Sequence, residues 1–160
     1  MADNKISTDE LLKFINSSSH ADREFMSNLI IKNIYADNRI TTFLLAKLSV
    51  NRIKNGSLTY YESSLFTNIN TFTYEDFKIF YDVIQSPLLK KDIDQYEFQS
   101  NETNEYYVTV LEKFKNIGIL QQSTNLVVPN KHPVSTFAKT SYSDLFYEML
   151  DSFFKIVELH

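Results

Sequence analysis

The chain has 160 residues, of which 43% are hydrophobic, with two glycines, three prolines, no cysteine and a net charge of −4. This composition excludes disulfides, thiolate nucleophiles and glycine-rich phosphate loops, and it supplies too few turn residues for a many-stranded sandwich or barrel. We therefore expect a mainly helical protein without a broad electrostatic footprint for nucleic acid.

Five helices are predicted in residues 1–88, which we assign to an N-terminal helical bundle. Ser7 and Glu10 match a capping box, because the hydroxyl and the carboxylate can each accept a hydrogen bond from a backbone amide at a helix start. Ser57 can cap the fourth helix, and Pro87 stops the fifth. The helices are predicted over residues 8–16, 21–35, 37–56, 58–70 and 74–85. The apolar stripe of the second helix consists of Phe25, Leu29, Ile30 and Ile34.

Residues 89–101 are predicted to be a connector, because they are rich in charge and carry no helical stripe beyond their first positions. Residues 102–160 then follow the order of a winged-helix-like unit, with a helix, two short apolar runs and a second helix. We therefore predict a mainly α fold, in which a helical bundle is followed by a winged-helix-like unit with one small β-hairpin.

Residues that typically end or begin helices set the predicted boundaries of the elements in the winged-helix-like unit. Its first helix ends at Gly118, since glycine readily adopts the left-handed conformation that follows a helix. Its last helix begins at Ser141 with Asp144. Between them, the apolar runs 119–120 and 126–128 flank a polar turn and predict the hairpin.

No catalytic, cofactor-binding or metal-binding constellation is visible in the sequence. His20, His132 and His160 lack the fixed spacing of metal ligands. The carboxylate pair Glu75–Asp76 falls in the first turn of a helix, where acidic residues stabilise the helix dipole. We therefore predict that the protein is not an enzyme. An enzyme is the third hypothesis, and it would need a deep pocket lined by clustered acids or histidines.

Aromatic side chains are concentrated between residues 60 and 81. Tyrosine and phenylalanine anchor protein interfaces, and they equally fill helical cores, so both interpretations stay open. Stacking on bases would require interleaved cations, and this region has only Lys78. The predicted partner is therefore another protein. The candidate partner-binding residues are Tyr60, Tyr61, Phe66, Tyr74 and Tyr81.

The alternative function is a winged-helix transcriptional regulator that binds DNA as a homodimer through its C-terminal unit. Acidic residues offset the basic ones in this unit, and winged-helix modules also serve in protein docking, so we rank DNA second. The candidate nucleic-acid-binding residues are Lys113, Lys115, Gln121, Gln122, Lys131 and Lys139.

Three segments resemble helical domains of unknown function in prophage and abortive-infection (Abi-alpha-like) proteins of bacteria. The segments are "DREFMSNLIIKNI", "LFTNINTFTYEDFKIFYDVI" and "VLEKFKNIGIL". Arg23, Glu24, Leu29, Asp76 and Gly118 occupy the comparable places. The resemblance implies a non-enzymatic protein of phage–host conflict, acting in defence or counter-defence, with no catalytic residues to carry over.

The sequence predicts a cytoplasmic protein that does not enter the membrane. Its start, "MADNKISTDELLKF", contains acidic residues and no apolar stretch of the kind found in signal peptides. The longest apolar runs are far shorter than the roughly 20 residues that span a bilayer. The leading hypothesis is therefore a cytoplasmic protein that binds another macromolecule through an aromatic interface.

Overall fold

The computed structural model describes residues 7–16, 18–86, 90–92, 95–99, 102–122 and 134–158. The chain divides into two units, Met1–Thr73 and Tyr74–His160. Helices predominate in the described residues of both units, which confirms the prediction of a mainly helical protein.

In its described residues, the first unit has four helices and one short 3₁₀ turn. They are α1 (Thr8–Asn16), α2 (His20–Ile34), α3 (Arg39–Asn55) and α4 (Tyr60–Asn68), with the turn at Ile69–Thr71. The capping box at α1 is confirmed, since the Ser7 amide donates to Glu10 at 2.9 Å and the Glu10 amide donates to the Ser7 hydroxyl at 3.2 Å. Helix α3 ends at Gly56, whose φ of 73° is left-handed.

The core of the first unit is centred on α3. Its fully buried side chains lie at helical spacing, and the helix packs against α1, α2 and α4. By contrast, neither α1 nor α2 contributes a buried residue. The buried apolar residues of this unit are Ile40, Leu44, Leu45, Leu48, Leu65, Phe66, Ile69 and Phe72.

The part of the second unit that the structure describes combines three helices with a four-stranded sheet. The helices are α5 (Tyr74–Gln85), α6 (Glu102–Asn116) and α7 (Ser143–Glu158). The strands are β1 (Lys90–Asp92), β2 (Gln95–Gln99), β3 (Leu120–Gln122) and β4 (Val134–Lys139), in the order β1-β2-β4-β3 with antiparallel neighbours. The core is rich in phenylalanine, and its fully buried rings include Phe77, Phe80, Phe114 and Phe146.

The sheet is larger than the predicted single hairpin. Strands β1 and β2 lie within residues 89–101, the predicted connector. Strand β3 does begin at Leu120, but it pairs with β4, so that Leu120 lies opposite Lys139. Residues 126–128, the predicted second strand of the hairpin, lie outside the described residues.

Helix α5 also differs from its predicted place in an N-terminal bundle of residues 1–88, because it belongs to the second unit. The cause is aromatic packing. The Phe80 ring lies 4.7 Å from that of Phe114 on α6 and 5.1 Å from that of Phe146 on α7, measured between centroids. Such buried ring pairs bind α5 to the helices that follow it in sequence.

Candidate functional site

Helix α2 rests on the first unit along a narrow strip. The side chains that face the unit are only half-buried, and Phe25 on this strip stacks on Phe66 of α4 with ring centroids 4.8 Å apart. Leu29 lies one turn further along the same side. The strip holds the helix in place and leaves most of its circumference in solvent.

Polar contacts fix the start of α2. Ser19 and Asp22 form a capping box, and Arg52 of α3 donates to Asp22 at 2.6 Å. The pKa of Asp22 is lowered, first by the hydrogen bond from Ser19 and then by the one from Arg52. The ionised carboxylate thus ties the beginning of α2 to the end of α3.

A second set of contacts fixes the end of α2. The Lys32 ammonium donates to the backbone oxygen of Thr67 at 2.9 Å, and the Asn70 amide donates to the backbone oxygen of Lys32 at 3.1 Å. Burial lowers the pKa of Lys32. Lys32 therefore points toward α4 and away from the outer face of α2.

The outer face of α2 carries a cluster of exposed apolar side chains in its last two turns. Ile30 is 59% exposed, Ile31 48%, Ile34 72% and Tyr35 71%. At 3.6 residues per turn, Ile31 lies opposite the inward-facing Leu29, and Ile34 lies about 140° from it. We call these four residues the α2 surface.

The size and composition of the α2 surface distinguish it from scattered exposed residues. It covers roughly 500 Å², comparable with the largest apolar patch of a typical monomer, and patches of that size mark interaction sites. None of its four side chains is charged. The first half of the same face is polar, with His20, Arg23, Glu24 and Ser27 exposed.

Helix α1 has a smaller apolar face, formed by Leu11, Leu12 and Ile15, which we call the α1 surface. These side chains are 40%, 50% and 54% exposed, and positions i, i+1 and i+4 share one side of a helix. Phe14 is half-buried and is the only residue of α1 that is not exposed. A nine-residue helix is marginal in isolation, so α1 depends on packing.

The five aromatic residues predicted as a partner-binding set are divided between the two units. In the first unit, Tyr60 is 79% exposed, Tyr61 is half-buried, and Phe66 is only 7% exposed within the core. In the second unit, Tyr74 is 41% exposed, and the half-buried Tyr81 donates its hydroxyl to Asp151 at 2.9 Å.

Three of the four predicted DNA-binding lysines have acidic neighbours. Lys113 pairs with the buried Asp76 at 2.8 Å, and Lys139 pairs with Asp144 at 2.8 Å. Lys115 lies 3.5 Å from the Glu112 carboxylate.

The two predicted glutamines lie on β3 with exposed side chains. The Gln122 amide oxygen accepts from Lys115 at 3.3 Å, and Gln121 donates to the backbone oxygen of Lys139 at 3.5 Å. Lys131 lies outside the described residues.

Sequence reasoning missed the α2 surface because it assigned Ile30 and Ile34 to a core-facing stripe. The structure places Phe25 and Leu29 on the inner side and the two isoleucines on the outer side. A helix with apolar residues on more than one side is the signal that was available. Whether the outer side faces solvent depends on the neighbouring helices, which periodicity does not specify.

A shallow cleft of about 270 Å³ lies beside the contact between α2 and α4, with Phe25 and Phe66 among its lining residues. Within the residues that the structure describes, no group of three or more acidic or histidine side chains is arranged to hold a metal ion. The helices in these same parts of the chain all lack the length and apolarity needed to cross a bilayer.

Comparisons with known proteins found no matching family model and no significant match among curated proteins or solved structures.

Proposed function

We propose that the protein is a non-enzymatic binding protein whose first unit captures another protein through the α1 surface. The observation that carries this proposal is the exposure of Leu11, Leu12 and Ile15 on a helix with no buried residue. Short amphipathic helices of this kind bind by laying their apolar face in a groove of the partner.

The chemistry of α1 specifies what the partner should offer. Its first turn carries Asp9 and Glu10, both exposed, beside the apolar face. The complementary surface is an apolar groove with basic residues at the end that receives the start of the helix, since complementary charge favours encounter and register. Leu12 and Ile15 are each about half exposed, so burying what remains would contribute about 1 kcal/mol each before the costs of association.

The biological setting we propose is conflict between phage or prophage and a bacterial host, in defence or counter-defence. This part of the proposal is supported by the resemblance of three segments to prophage and abortive-infection proteins. It is tested by plating phage on cells that express the chain, and on cells that express an Ile15→Lys variant. A change in plating efficiency that depends on Ile15 supports the setting.

Capture of the partner is tested with a matched pair of variants. Ile15→Lys removes an apolar anchor and adds a charge, whereas Asn16→Lys adds the same charge at the next, also exposed position. We expect affinity purification from bacterial lysate, with nuclease present, to lose a stoichiometric partner only for Ile15→Lys. Equal recovery with both variants would refute a role for the α1 surface.

A second candidate function is DNA binding by the second unit, and the strand order favours it. Strand β4 lies between β2 and β3, and α6 connects β2 to β3, which is the order of a winged-helix sheet. Against it, a DNA-reading helix-turn-helix has two helices joined by a short turn, whereas α6 is preceded by a strand. Lys113 and Lys139 are also paired with acidic residues.

The DNA alternative has a direct test in duplex binding at several salt concentrations. Contacts to DNA phosphates make the affinity for duplex DNA fall steeply as the salt concentration rises. Lys131→Ala should make this salt dependence less steep if residue 131 contacts the DNA backbone. Absence of duplex binding at low salt would remove this candidate.

A further inference from the structure

We infer that the α2 surface is covered by the α2 surface of a second copy of the chain, so that the protein is a two-fold symmetric homodimer. The inference shares with the proposed function the premise that exposed helix faces of the first unit are binding surfaces. It assigns a different face, however, and leaves the α1 surface of each copy available to another protein.

The side chains of the α2 surface have the geometry of helix-on-helix packing. Ile30 with Ile34, and Ile31 with Tyr35, form two parallel ridges of i, i+4 spacing, with a groove between them. When such ridges from two helices interlock, the helices cross at about −50°, in the commonest class of helix packing. Each copy supplies both the ridges and the groove that the other copy needs.

The length of the α2 surface also fits a crossing pair. Helices that cross steeply touch over only a few turns. The α2 surface spans about two turns, and towards the start of the helix the same face is polar from Ser27. A partner helix lying along the whole of α2 would instead meet His20, Arg23 and Glu24. The apolar region thus matches a short contact near the end of α2 better than a long coiled-coil seam.

The charge distribution permits self-association. In a two-fold contact the same patch occurs on both subunits, so a charged side chain near the axis would repel its own copy. Between residues 30 and 35 the chain has one charged residue, Lys32, and its ammonium is directed to Thr67 of its own unit. The α2 surface is therefore uncharged where a symmetric contact requires it to be.

The exposed area of the α2 surface reaches the lower limit of a specific interface. Two copies of the α2 surface would together bury roughly 1,000 Å², which is the lower limit for a specific interface before any polar rim is included. Exposed polar residues around the apolar cluster, including Asn28 and Asn33, are available for such a rim.

The first experiment measures mass in solution by sedimentation and by light scattering over a range of concentrations. We expect a dimer for the full chain, and at least about a tenfold weaker association for Ile34→Lys. Ile156→Lys is the matched control, because Ile156 is also an exposed isoleucine on a helix, with 51% of its surface accessible. A full chain that stays monomeric throughout would overturn the inference.

The second experiment locates the contact and exploits the absence of cysteine from the chain. A thiol introduced by Ile31→Cys or Ile34→Cys is the only one present, and near a two-fold axis it can meet its own copy within disulfide distance. We expect mild oxidation to link these variants into dimers, and to leave the exposed Glu148→Cys control monomeric. A dimer that neither α2 variant cross-links would place the interface elsewhere.

The outcomes separate this inference from the proposed function. Ile15→Lys should lose the captured protein and remain dimeric, whereas Ile34→Lys should lose the dimer. A monomeric full chain that still captures a protein through Ile15 overturns only the dimer. A dimer that depends on Ile34, with no protein lost on Ile15→Lys, supports the dimer and refutes the proposed function.

Discussion

Tyr81 of α5 and Tyr147 of α7 stack face to face, with ring centroids 5.2 Å apart and planes inclined by only 9°. Both hydroxyls take part in hydrogen bonds: Tyr81 donates to Asp151 at 2.9 Å, and Gln85 donates to Tyr147. This arrangement joins the two helices on a half-buried side of the second unit, so Tyr81 serves the fold rather than a free binding surface.

The Tyr81 contact predicts loss of stability at high pH. Burial, followed by the hydrogen bond to Asp151, raises the pKa of Tyr81 above its ordinary value of 10.0. Above pH 10 the unfolded chain therefore loses this proton while the folded chain keeps it, so the free energy of unfolding falls as pH rises. Denaturation between about pH 8 and 11 should show a smaller decrease in the free energy of unfolding for Tyr81→Phe than for the unsubstituted chain.

A second prediction concerns acid and the start of α2. The lowered pKa of Asp22 means that its stabilising contribution is complete above the ordinary value of 3.8 and is lost as pH falls through the folded value. We expect Asp22→Asn to lower stability at neutral pH and to flatten the decline below about pH 4. The pKa of Glu10 is also lowered, so Glu10 contributes over the same pH range. Some dependence of stability on pH should therefore remain in the Asp22→Asn variant. An unchanged acid profile would contradict this assignment.

The cap of α4 yields a paired test. Thr59 accepts from the Glu62 amide at 3.3 Å, and the Glu62 carboxylate accepts from the Thr59 amide at 2.8 Å, so Thr59, and not the predicted Ser57, caps this helix. Thr59→Ala should cost about 1 kcal/mol of stability, whereas Ser57→Ala should change it little. Urea denaturation measures both, and a larger loss for Ser57→Ala would reverse the assignment.

Two aromatic residues of α4 should differ in how much their replacement by alanine lowers stability. Phe66 is packed in the core, so Phe66→Ala should destabilise the protein by about 3–5 kcal/mol. Tyr60 is largely exposed, so Tyr60→Ala should stay within about 0.5 kcal/mol. Thermal unfolding followed by circular dichroism distinguishes them. Partner capture that survives Tyr60→Ala would exclude this tyrosine from the interface.

Local signals predicted most of the helices. Ser7 with Glu10 fixed the start of α1, and Gly118, with φ of 81°, ends α6 as its position suggested. These features depend on residues a few positions apart, so the sequence contains the information directly. The Thr59 cap was missed because Ser57 and Thr59 are both competent caps, and the reciprocal contact with Glu62 decides between them.

Strands β2 and β4 were missed for a different reason. Tyr96 and Phe98 alternate with polar residues, which is a strand signal, but the segment is short and charged. On β4, Thr136, Phe137 and Ala138 are consecutive and all buried, so no alternation marks the strand. Pairing between the two strands is a long-range property that neither segment specifies alone.

The exposed helix faces could be predicted only in part. Helical spacing identifies Leu11, Leu12 and Ile15 as one side of α1, but it does not say whether another helix covers that side. For α2, the side that faces the unit is set by packing against α3 and α4, which is a tertiary property that helical spacing does not contain. The candidate surfaces are therefore the apolar helix faces that the packing of the core leaves exposed.

The pairing of Gln95 with Ala138 has a consequence for synthesis of the chain. The sheet of the second unit cannot close until α6 and β4 have both left the ribosome, whereas the packing of α1 to α4 uses only earlier residues. Since domains fold in order of emergence and local contacts form fastest, we expect the first unit to be complete while the second is still being translated. Neighbouring ribosomes on one message would then carry α2 faces that are already folded, and subunits could join before either chain is released.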